Sequence, residues 1–563
     1  MKKYILLPVA ALMLSVGLFA QSQDSLLQRQ MELERDFNPT LMDANKINSL
    51  PTLRKPVVQK ANTNYSNWAG RTSPPLEIAI PRPGTVMTNI PFSTQKGYVS
   101  LAGGNYANID GVFGYRILDD EKNRLSFNFL HNSTNGKLKY NQSGGERDNK
   151  AKAMDNVGEL NYGHNFSGFS LDSRLSYLHS SYNYYGNTFE TERLYNNENQ
   201  TYGLLNVHLG VTSKENRLIE YKGYVDFKNF STKFGESLMA DGLKGSQVNA
   251  MVDLSKPFGS SDNRVGVEGK LLSTYYNDKR KDYMLVNAAP YLGVSGFGWD
   301  ARFGADILFH ILGKTQVRVV PNVDIKWNVT DHSSLYAKVH GGYESNTFIE
   351  MMRESRYVFP GVNVTPSFSI LDIEVGTKIG ELSGFRFDIF AGFKQTDDEH
   401  FLVLGSNRDD DYDMLFDTFE YLTPYYSNIS HSHIGGAIQT NIWSPLEASL
   451  RIKKNFYNMK DDDYAMAYNK PGFEADLRAT FTATEQLKFS LNYYFANDRH
   501  TFYDNSNIKM DNINDLGLGA VYQISDAFSV NLQANNLLFQ QYDIWYGHPA
   551  QSFNMMGGFS FRF

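Results

Sequence analysis

SFNMMGGFSFRF, residues 552–563, closes the chain and decides its fold class. Apolar residues and one glycine fill the odd positions, whereas mainly small or polar residues fill the even ones. The odd set is Phe553, Met555, Gly557, Phe559, Phe561 and Phe563; the even set is Ser552, Asn554, Met556, Gly558, Ser560 and Arg562. A period of two places the sets on opposite faces of a β-strand. The same period recurs at 219–228, 385–393 and 528–535.

The lengths of the periodic segments separate a membrane barrel from a soluble sandwich. The segments span about 9 to 14 residues, enough to cross a hydrocarbon core when tilted, whereas soluble strands are about half as long. Short polar turns alternate with long segments. The turns are 119–124, 213–216, 330–333, 482–486 and 525–527; the long segments are roughly 133–154, 181–199, 343–366 and 396–430. We therefore predict an all-β protein, a transmembrane antiparallel β-barrel of about 22 strands with short periplasmic turns and long extracellular loops.

Composition excludes several functional classes. The 563 residues include no cysteine, so a lipid-anchored cysteine, disulfides, thiolate metal sites and cysteine catalysis are excluded. The net charge of −7 argues against a nucleic-acid partner. The mean hydropathy is −0.42, and no long apolar run follows the first twenty residues, so no transmembrane helix is expected. The aromatic fraction of 14% fits strands that meet a membrane interface.

Three segments are expected along the chain. Residues 1–20 have a basic start, an apolar middle and a final small residue, so we predict a signal peptide cleaved near Ala20 and a location in the cell outer membrane. Residues 21–92 are rich in Pro and Asn, and we expect them to be extended and irregular. They are either a flexible periplasmic extension, or a segment that fills the lumen or docks a partner. Residues 93–563 are the predicted barrel.

Both ends of this predicted barrel carry a family resemblance. GYVSLAGGNYANIDGVFGYRI, residues 97–117, is similar to the first barrel strands of TonB-dependent receptors, and the length and Asn/Pro content of 21–92 suggest the plugless barrels of the Bacteroidota type. The last 33 residues are similar to the last two strands of TonB-dependent receptors, with matching positions at Asn536, Leu537, Tyr542, Pro549 and Phe563. The resemblance covers 97–563 and implies a role in passing a nutrient or other solute across the outer membrane.

The N-terminal segment departs from that family. Its members carry a plug domain longer than residues 21–92, and no plug-like strand or convincing TonB box follows Gln21. Two functions therefore remain open: solute passage, or a non-transporting barrel that serves as a scaffold in an assembly or export complex. A barrel of this size encloses a wide lumen. We expect residues 21–92, infolded loops such as 396–430, or another protein to fill it.

An acidic loop provides the main candidate metal site. Five of its carboxylates match positions 1, 3, 5, 9 and 12 of a calcium loop: Asp409, Asp411, Asp413, Asp417 and Glu420. The sixth position, which should be glycine, is Met414, and no helical pattern flanks the loop. A solvated acidic surface loop is therefore the favoured interpretation, and no other cofactor is expected.

The remaining features point to surface chemistry rather than catalysis. His431 and His433 share a strand face, which suits a metal, but no carboxylate pair follows at matching spacing. The cations within 278–282 could meet lipid phosphates, although pairing with the flanking Asp residues is favoured. The tyrosines at 421, 425 and 426 are interpreted as an interface belt. Because neither a Gly-x-Ser-x-Gly elbow nor a phosphate-cradling loop is present, we expect no enzymatic activity. Expected partners are outer-membrane lipid and lipopolysaccharide, and a protein bound through 21–92.

Overall fold

A computed structural model describes the chain from residue 95 onward, with gaps. The described residues are 95–139, 148–185, 199–214, 218–235, 241–259, 263–277, 281–382, 384–405, 421–460, 466–503 and 506–563. Within them, 22 strands form one sheet in which neighbouring strands run antiparallel. No helix in this part of the chain is both long and apolar enough to span a bilayer.

The 22 strands of this sheet form the barrel wall. Each wall strand pairs with the wall strands that precede and follow it in the chain. The wall strands are β1 (Gly97–Gly104), β2 (Ile109–Asp119), β3 (Asn123–Lys139), β4 (Asp148–Asn165), β5 (Phe169–Tyr182), β6 (Gln200–Ser213), β7 (Glu220–Thr232), β8 (Lys244–Pro257), β9 (Arg264–Tyr276), β10 (Met284–Gly296), β11 (Trp299–Leu312), β12 (Lys314–Thr330), β13 (Ser333–Glu344), β14 (Ser367–Leu382), β15 (Phe385–Gly405), β16 (Tyr421–Thr440), β17 (Leu446–Met459), β18 (Phe473–Thr482), β19 (Leu487–Asn497), β22 (Ile513–Gln523), β23 (Phe528–Asn535) and β26 (Asn554–Arg562).

A few short elements lie in the connections. The strands β20 (His500–Tyr503) and β21 (Ser506–Lys509) form one small hairpin, and β24 (Asp543–Trp545) and β25 (His548–Pro549) form another. The helix α1 (Phe348–Glu354) follows β13, and a one-turn 3₁₀ helix at Asn105–Ala107 follows β1.

The first and last strands close the ring. β1 pairs antiparallel with β26, with Leu101 opposite Phe559, and the backbone amides of Gly97 and Phe563 each donate to the other's carbonyl at 2.8 and 2.9 Å. Both ends of the wall therefore lie at the same end of the barrel. The predicted all-β antiparallel barrel of about 22 strands is confirmed.

The two-residue period gives the wall an apolar outside and a polar inside. Outward side chains are large, apolar and exposed, as at Leu175 (47%), Val319 (65%) and Trp327 (52%). Three exposed tryptophans, Trp299, Trp327 and Trp443, lie close to the short turns. This arrangement matches the apolar band and aromatic girdle of a barrel that crosses a membrane.

Short turns and long connections alternate as predicted. The five predicted polar turns join β2 to β3, β6 to β7, β12 to β13, β18 to β19 and β22 to β23, all at the end that holds Gly97 and Phe563. We call this the short-turn end and the opposite one the long-loop end. One connection at the long-loop end is a single residue, Gly313, whose φ of +69° favours glycine.

The long connections differ from prediction in extent. β3 and β4 pair as far as Lys139 and Asp148, so most of 133–154 is strand. β15 and β16 continue past a bulge between Thr396 and Glu399 up to Gly405 and Tyr421, so 396–430 is also largely wall. The segment 343–366 is not a plain loop, because it contains α1.

Candidate functional site

Three connections at the long-loop end pack together across the barrel mouth. They are residues 345–366, the described parts of 498–512, and 536–553, and we call them the mouth cap. Their buried side chains form one apolar cluster with the ends of the wall strands. The cap's own members are Phe348, Ile349, Met351, Met352, Tyr357, Val358, Val362, Met510, Tyr542, Ile544, Trp545 and Tyr546.

The first cap segment is organised by α1. Thr347 caps the helix, because its Oγ1 accepts a hydrogen bond from the Glu350 amide at 3.3 Å and its own amide donates to the Glu350 carboxylate at 2.8 Å. This reciprocal pair is a capping box. The helix buries Phe348 and Met351 almost completely. A seven-residue helix is marginal in isolation, so this packing is what stabilises α1.

The segment that follows α1 crosses the mouth. Arg356 Nη2 lies 2.8 Å from Asp155 Oδ2 on β4, which stands nine positions from β13 around the ring of 22 strands. Just after Arg356, the same segment bonds to β16. The Leu422 amide donates to the Tyr357 carbonyl at 3.0 Å, and the Phe359 amide donates to the Leu422 carbonyl at 2.9 Å. One connection thus ties nearly opposite sides of the wall together.

The last cap segment, 536–553, meets the first at its centre. The rings of Tyr357 and His548 lie 4.5 Å apart, and the Tyr185 hydroxyl donates to the Pro549 carbonyl at 3.1 Å. The base of the segment is held by Asn536, whose side chain donates to the carbonyls of Gln540 and Gln551 at 2.7 and 3.1 Å. Three positions that carry the family resemblance, 536, 542 and 549, therefore position this cap segment.

A buried arginine joins the second cap segment to the third. Arg499 is fully buried, and its guanidinium donates to the carbonyls of Asp543 and Ile544 at 3.0 and 2.6 Å. Burial lowers the pKa of Arg499 to about 10, so the side chain stays charged at neutral pH. A buried charge is tolerated only when it is bonded in this way, which makes Arg499 a clamp on 543–544.

A charged cluster lies where the cap meets β15 and the β17–β18 connection. His400 Nε2 on β15 lies 2.7 Å from Glu354 Oε2 at the end of α1, and Lys470 Nζ lies 4.0 Å from Glu354 Oε1. Burial raises the pKa of Glu354, but the charges on His400 and Lys470 outweigh that effect, so its pKa is below the usual range. Glu354 is therefore ionised at neutral pH and anchors α1 to the wall.

The described residues leave little free space beside this charged cluster. A cavity of about 20 Å³ is lined by Lys394, Thr396, Glu399, Phe401, Ile429, His431, Tyr457 and Lys470. That volume holds about one water molecule. The cavity is too small for an organic solute.

The predicted calcium loop belongs to the connection between β15 and β16. Its five carboxylates, Asp409, Asp411, Asp413, Asp417 and Glu420, lie outside the described residues. Among the residues that are described, no group of three His, Asp or Glu side chains is placed to hold a metal.

The paired histidines share the inner face of β16, as predicted. Both are buried, and His431 Nε2 lies 3.0 Å from Asn455 Oδ1. His433 Nε2 lies 4.0 Å from a carboxylate oxygen of Glu374. The Asn455 amide oxygen and the Glu374 carboxylate are therefore the partners of the two imidazoles on the inner wall.

Part of the charged run 278–282 is described. Asp282 Oδ1 accepts a hydrogen bond from the Tyr276 amide at 2.8 Å, so this carboxylate caps the end of β9. Residues 278–280 lie outside the described part of the chain.

The interface-belt interpretation of the tyrosines at 421–426 is wrong for the two side chains that are described. The Tyr425 ring lies 5.6 Å from that of Tyr468, and the Tyr426 hydroxyl accepts a hydrogen bond from the Thr365 amide at 2.9 Å. Both side chains therefore pack within the wall and cap. The sequence around these tyrosines does not show which side chains face inward. A bulge between Thr396 and Glu399 shifts the register of β15 against β16, so the two-residue period cannot be carried past it.

Sequence reasoning also missed α1 and the cap. A local signal was present: Thr347 and Glu350 have the spacing of a capping box, and apolar Met351 and Met352 follow. The long-range contacts of Arg356 and Tyr357 have no comparable signature, since their partners are distant in sequence.

Comparison with known proteins supports the fold alone. No protein-family profile matches the chain, and no curated protein matches it in sequence. Solved structures do match. The siderophore receptor PirA from Acinetobacter baumannii has a TM-score of 0.64 at 11% identity, covering 83% of this chain and 80% of that chain. The copper transporter OprC has a TM-score of 0.62 at 11% identity, covering 83% and 82%. The ferric-catecholate import receptor Fiu from E. coli K12, in a closed form, has a TM-score of 0.60 at 9% identity, covering 83% and 82%.

Proposed function

We propose that this chain is an outer-membrane barrel that passes a solute, and that the mouth cap gates its extracellular opening. The observation that carries the proposal is the cap itself, which ties β4, β15 and β16 together across the mouth. The barrels with a similar fold are receptors for siderophores and a copper transporter, which favours passage of a solute over catalysis. The signal peptide, with cleavage near Ala20, is part of the same proposal.

The inner wall suits an aqueous path. Asp306 accepts hydrogen bonds from the amides of Asn287 and Asn322 at 3.2 and 2.8 Å. Arg302 lies over the Tyr291 ring, 3.9 Å from its centroid. Such polar side chains line the lumen while apolar ones face outward, as expected for a barrel that conducts hydrophilic solutes rather than lipid.

Planar-bilayer recordings of the full chain test the gate. We expect the wild type to show little steady conductance, and a variant with residues 346–364 replaced by a short Gly/Ser linker to show a large and steady one. A large steady conductance of the wild type would contradict a closed mouth. A silent linker variant would contradict the cap as the gate and would point to residues 21–92 or another protein as the occluding element.

A scaffold role is the second candidate, and the cap also provides its supporting observation. Phe348 and Trp545 are almost fully buried, and Arg499 is bonded within the cap, as in a permanently packed core. A stably closed barrel would serve as a subunit of an outer-membrane assembly or export complex, with residues 21–92 as the docking segment. Purification from native membranes separates the two roles. A stoichiometric protein complex would favour the scaffold, whereas loss of growth on one nutrient after gene deletion would favour uptake.

A further inference from the structure

The helix α1 carries one cation to the inner wall beneath the mouth cap. Four of its seven side chains are buried, whereas Arg353 in its last turn is exposed. The helix rests on β7, where Phe348 stacks on Phe230 with ring centroids 5.2 Å apart. Arg353 lies within electrostatic range of Lys228, also on β7, and of Tyr202 on β6. Its guanidinium therefore lies close to the inner face of these two strands.

Lys228 faces the lumen one row below the contact between the helix and β7. It lies two residues from Phe230, on the same face of the strand. In the antiparallel register it stands between Asn206 of β6 and Gln247 of β8. Both neighbours are uncharged carboxamides, so this row of three residues contains no carboxylate that could neutralise Lys228.

Two carboxylates act on Lys228 from outside this row, and both are bonded elsewhere. Asp226 Oδ1 lies 2.6 Å from His208 Nδ1. The carboxylate of Glu350 belongs to the capping box of α1 and accepts a hydrogen bond from the Thr347 amide at 2.8 Å. Their interactions with other groups leave the charge of Lys228 only partly compensated.

Like charges on Lys228 and Arg353 repel each other while α1 lies against β7. In the described part of the chain, neither cation forms an ion pair or a side-chain hydrogen bond. The Tyr202 hydroxyl is buried and has no hydrogen-bond partner among the same residues. A buried donor left unpaired is costly. An anion between the two cations would turn their repulsion into attraction and would accept a hydrogen bond from Tyr202.

We propose that Lys228 and Arg353 bind an oxyanion on the lumen side of the mouth cap, with the Tyr202 hydroxyl as a further donor. Guanidinium and ammonium groups both suit carboxylate or phosphate oxygens. The bound anion connects α1 to β7 and thereby stabilises the closed cap. This inference rests on the cap of the proposed function but not on solute passage, because a scaffold barrel would hold the same anion.

Hydrogen exchange of the full chain in detergent tests the proposal. Peptides covering 346–360 report on α1, and a β17 peptide is the reference. Exchange is measured in potassium phosphate, in citrate and in chloride, at equal pH and ionic strength. The variants Lys228→Gln and Arg353→Gln each remove one charge. Lys222→Gln is the matched control, because Lys222 is an exposed lysine on the same inner face of β7, nearer the short-turn end. Thermal unfolding confirms that all variants are folded.

We expect phosphate or citrate, at about ten times its dissociation constant, to slow exchange of 346–360 about tenfold in the wild type and in Lys222→Gln. Both Lys228→Gln and Arg353→Gln should lose most of this slowing, whereas Arg353→Lys, which keeps the charge, should retain part of it. The anion with the larger effect assigns the site to phosphate or to carboxylate.

Equal slowing by chloride would indicate charge screening and would overturn the proposal. So would an unchanged exchange rate of the wild type in both oxyanions, or slowing that persists in the two charge-removing variants. A silent linker variant in the bilayer recordings would instead contradict the proposed gate and would leave the effect of the anion on exchange intact, so the two failures are distinguishable.

Discussion

Replacing Phe348 with alanine should open the mouth cap without unfolding the barrel. Phe348 is 0% exposed, stacks on Phe230 of β7 with ring centroids 5.2 Å apart, and belongs to the cluster that joins all three cap segments. A buried Phe→Ala change costs about 3–5 kcal/mol, because apolar contact is lost and a cavity remains. The 22-strand hydrogen-bond ladder does not include this residue.

The cost should appear as local opening of the cap. Each 1.4 kcal/mol is about tenfold in an equilibrium, so amide exchange in the cap should accelerate by about two to four orders of magnitude. If the cap is less stable than this loss, its protection should vanish altogether. Hydrogen exchange read by mass spectrometry on peptides covering 346–360 and 541–550 measures the change, with a β17 peptide as the internal reference.

A second variant makes the result specific. Phe303→Ala removes the same ring from the outer face of β11, where Phe303 is 44% exposed, and should leave exchange in the cap unchanged. Unchanged exchange of 346–360 in Phe348→Ala would refute the view that the cap is one packed unit. Equal acceleration in β17 would refute its independence from the wall.

Three further predictions concern charges at the long-loop end. Arg356→Met and Asp155→Ala should each accelerate cap exchange, and the double variant should fall short of the sum by about 0.5–3 kcal/mol; full additivity would mean that the ion pair does not couple. Because the pKa of Glu354 is lowered from 4.5 in the folded cap, its contribution is complete above that pH and is lost as pH falls through the lower value. Cap exchange corrected for intrinsic rates should therefore rise in acid, and Glu354→Gln should flatten that rise; identical pH profiles would exclude the contribution. The favoured solvated interpretation of the acidic loop predicts no heat on calorimetric titration with calcium, whereas a saturable signal lost in Asp411→Asn would establish a calcium loop.

The wall could be predicted because its determinants are local. The period of two in 552–563 fixes which side chains face outward, and turns such as 119–124 fix where strands reverse. Neither property depends on residues far away in the chain. The same reasoning placed strand ends too early at 133–154 and 396–430, because polar residues at these positions continue the ladder above the membrane, where no apolar band marks the strand.

The cap could not be predicted, because it is built from contacts between distant segments. Tyr185 and Pro549 are 364 positions apart, and Arg356 and Asp155 are 201 apart. Single-sequence periodicity carries no information on such pairs. Infolding of 396–430 was one of three expected ways to fill the lumen, beside residues 21–92 and another protein. Among the described residues, 345–366 is a segment that crosses the mouth. The apolar residues of 345–366 are explained only by the other cap segments and strand ends that they contact.

The separation of these contacts also determines when the cap can form. The Arg356–Asp155 contact joins β4 to the connection after β13, and the Tyr185–Pro549 contact spans the seam where β26 pairs with β1. Because α1 is too short to persist alone, its cluster cannot assemble before those strands are paired. We therefore expect closure of the ring to precede closure of the mouth. A barrel that inserts with an unpaired β1 would also insert with an open cap, so integrity of the β1–β26 seam and occlusion of the mouth are expected to fail together.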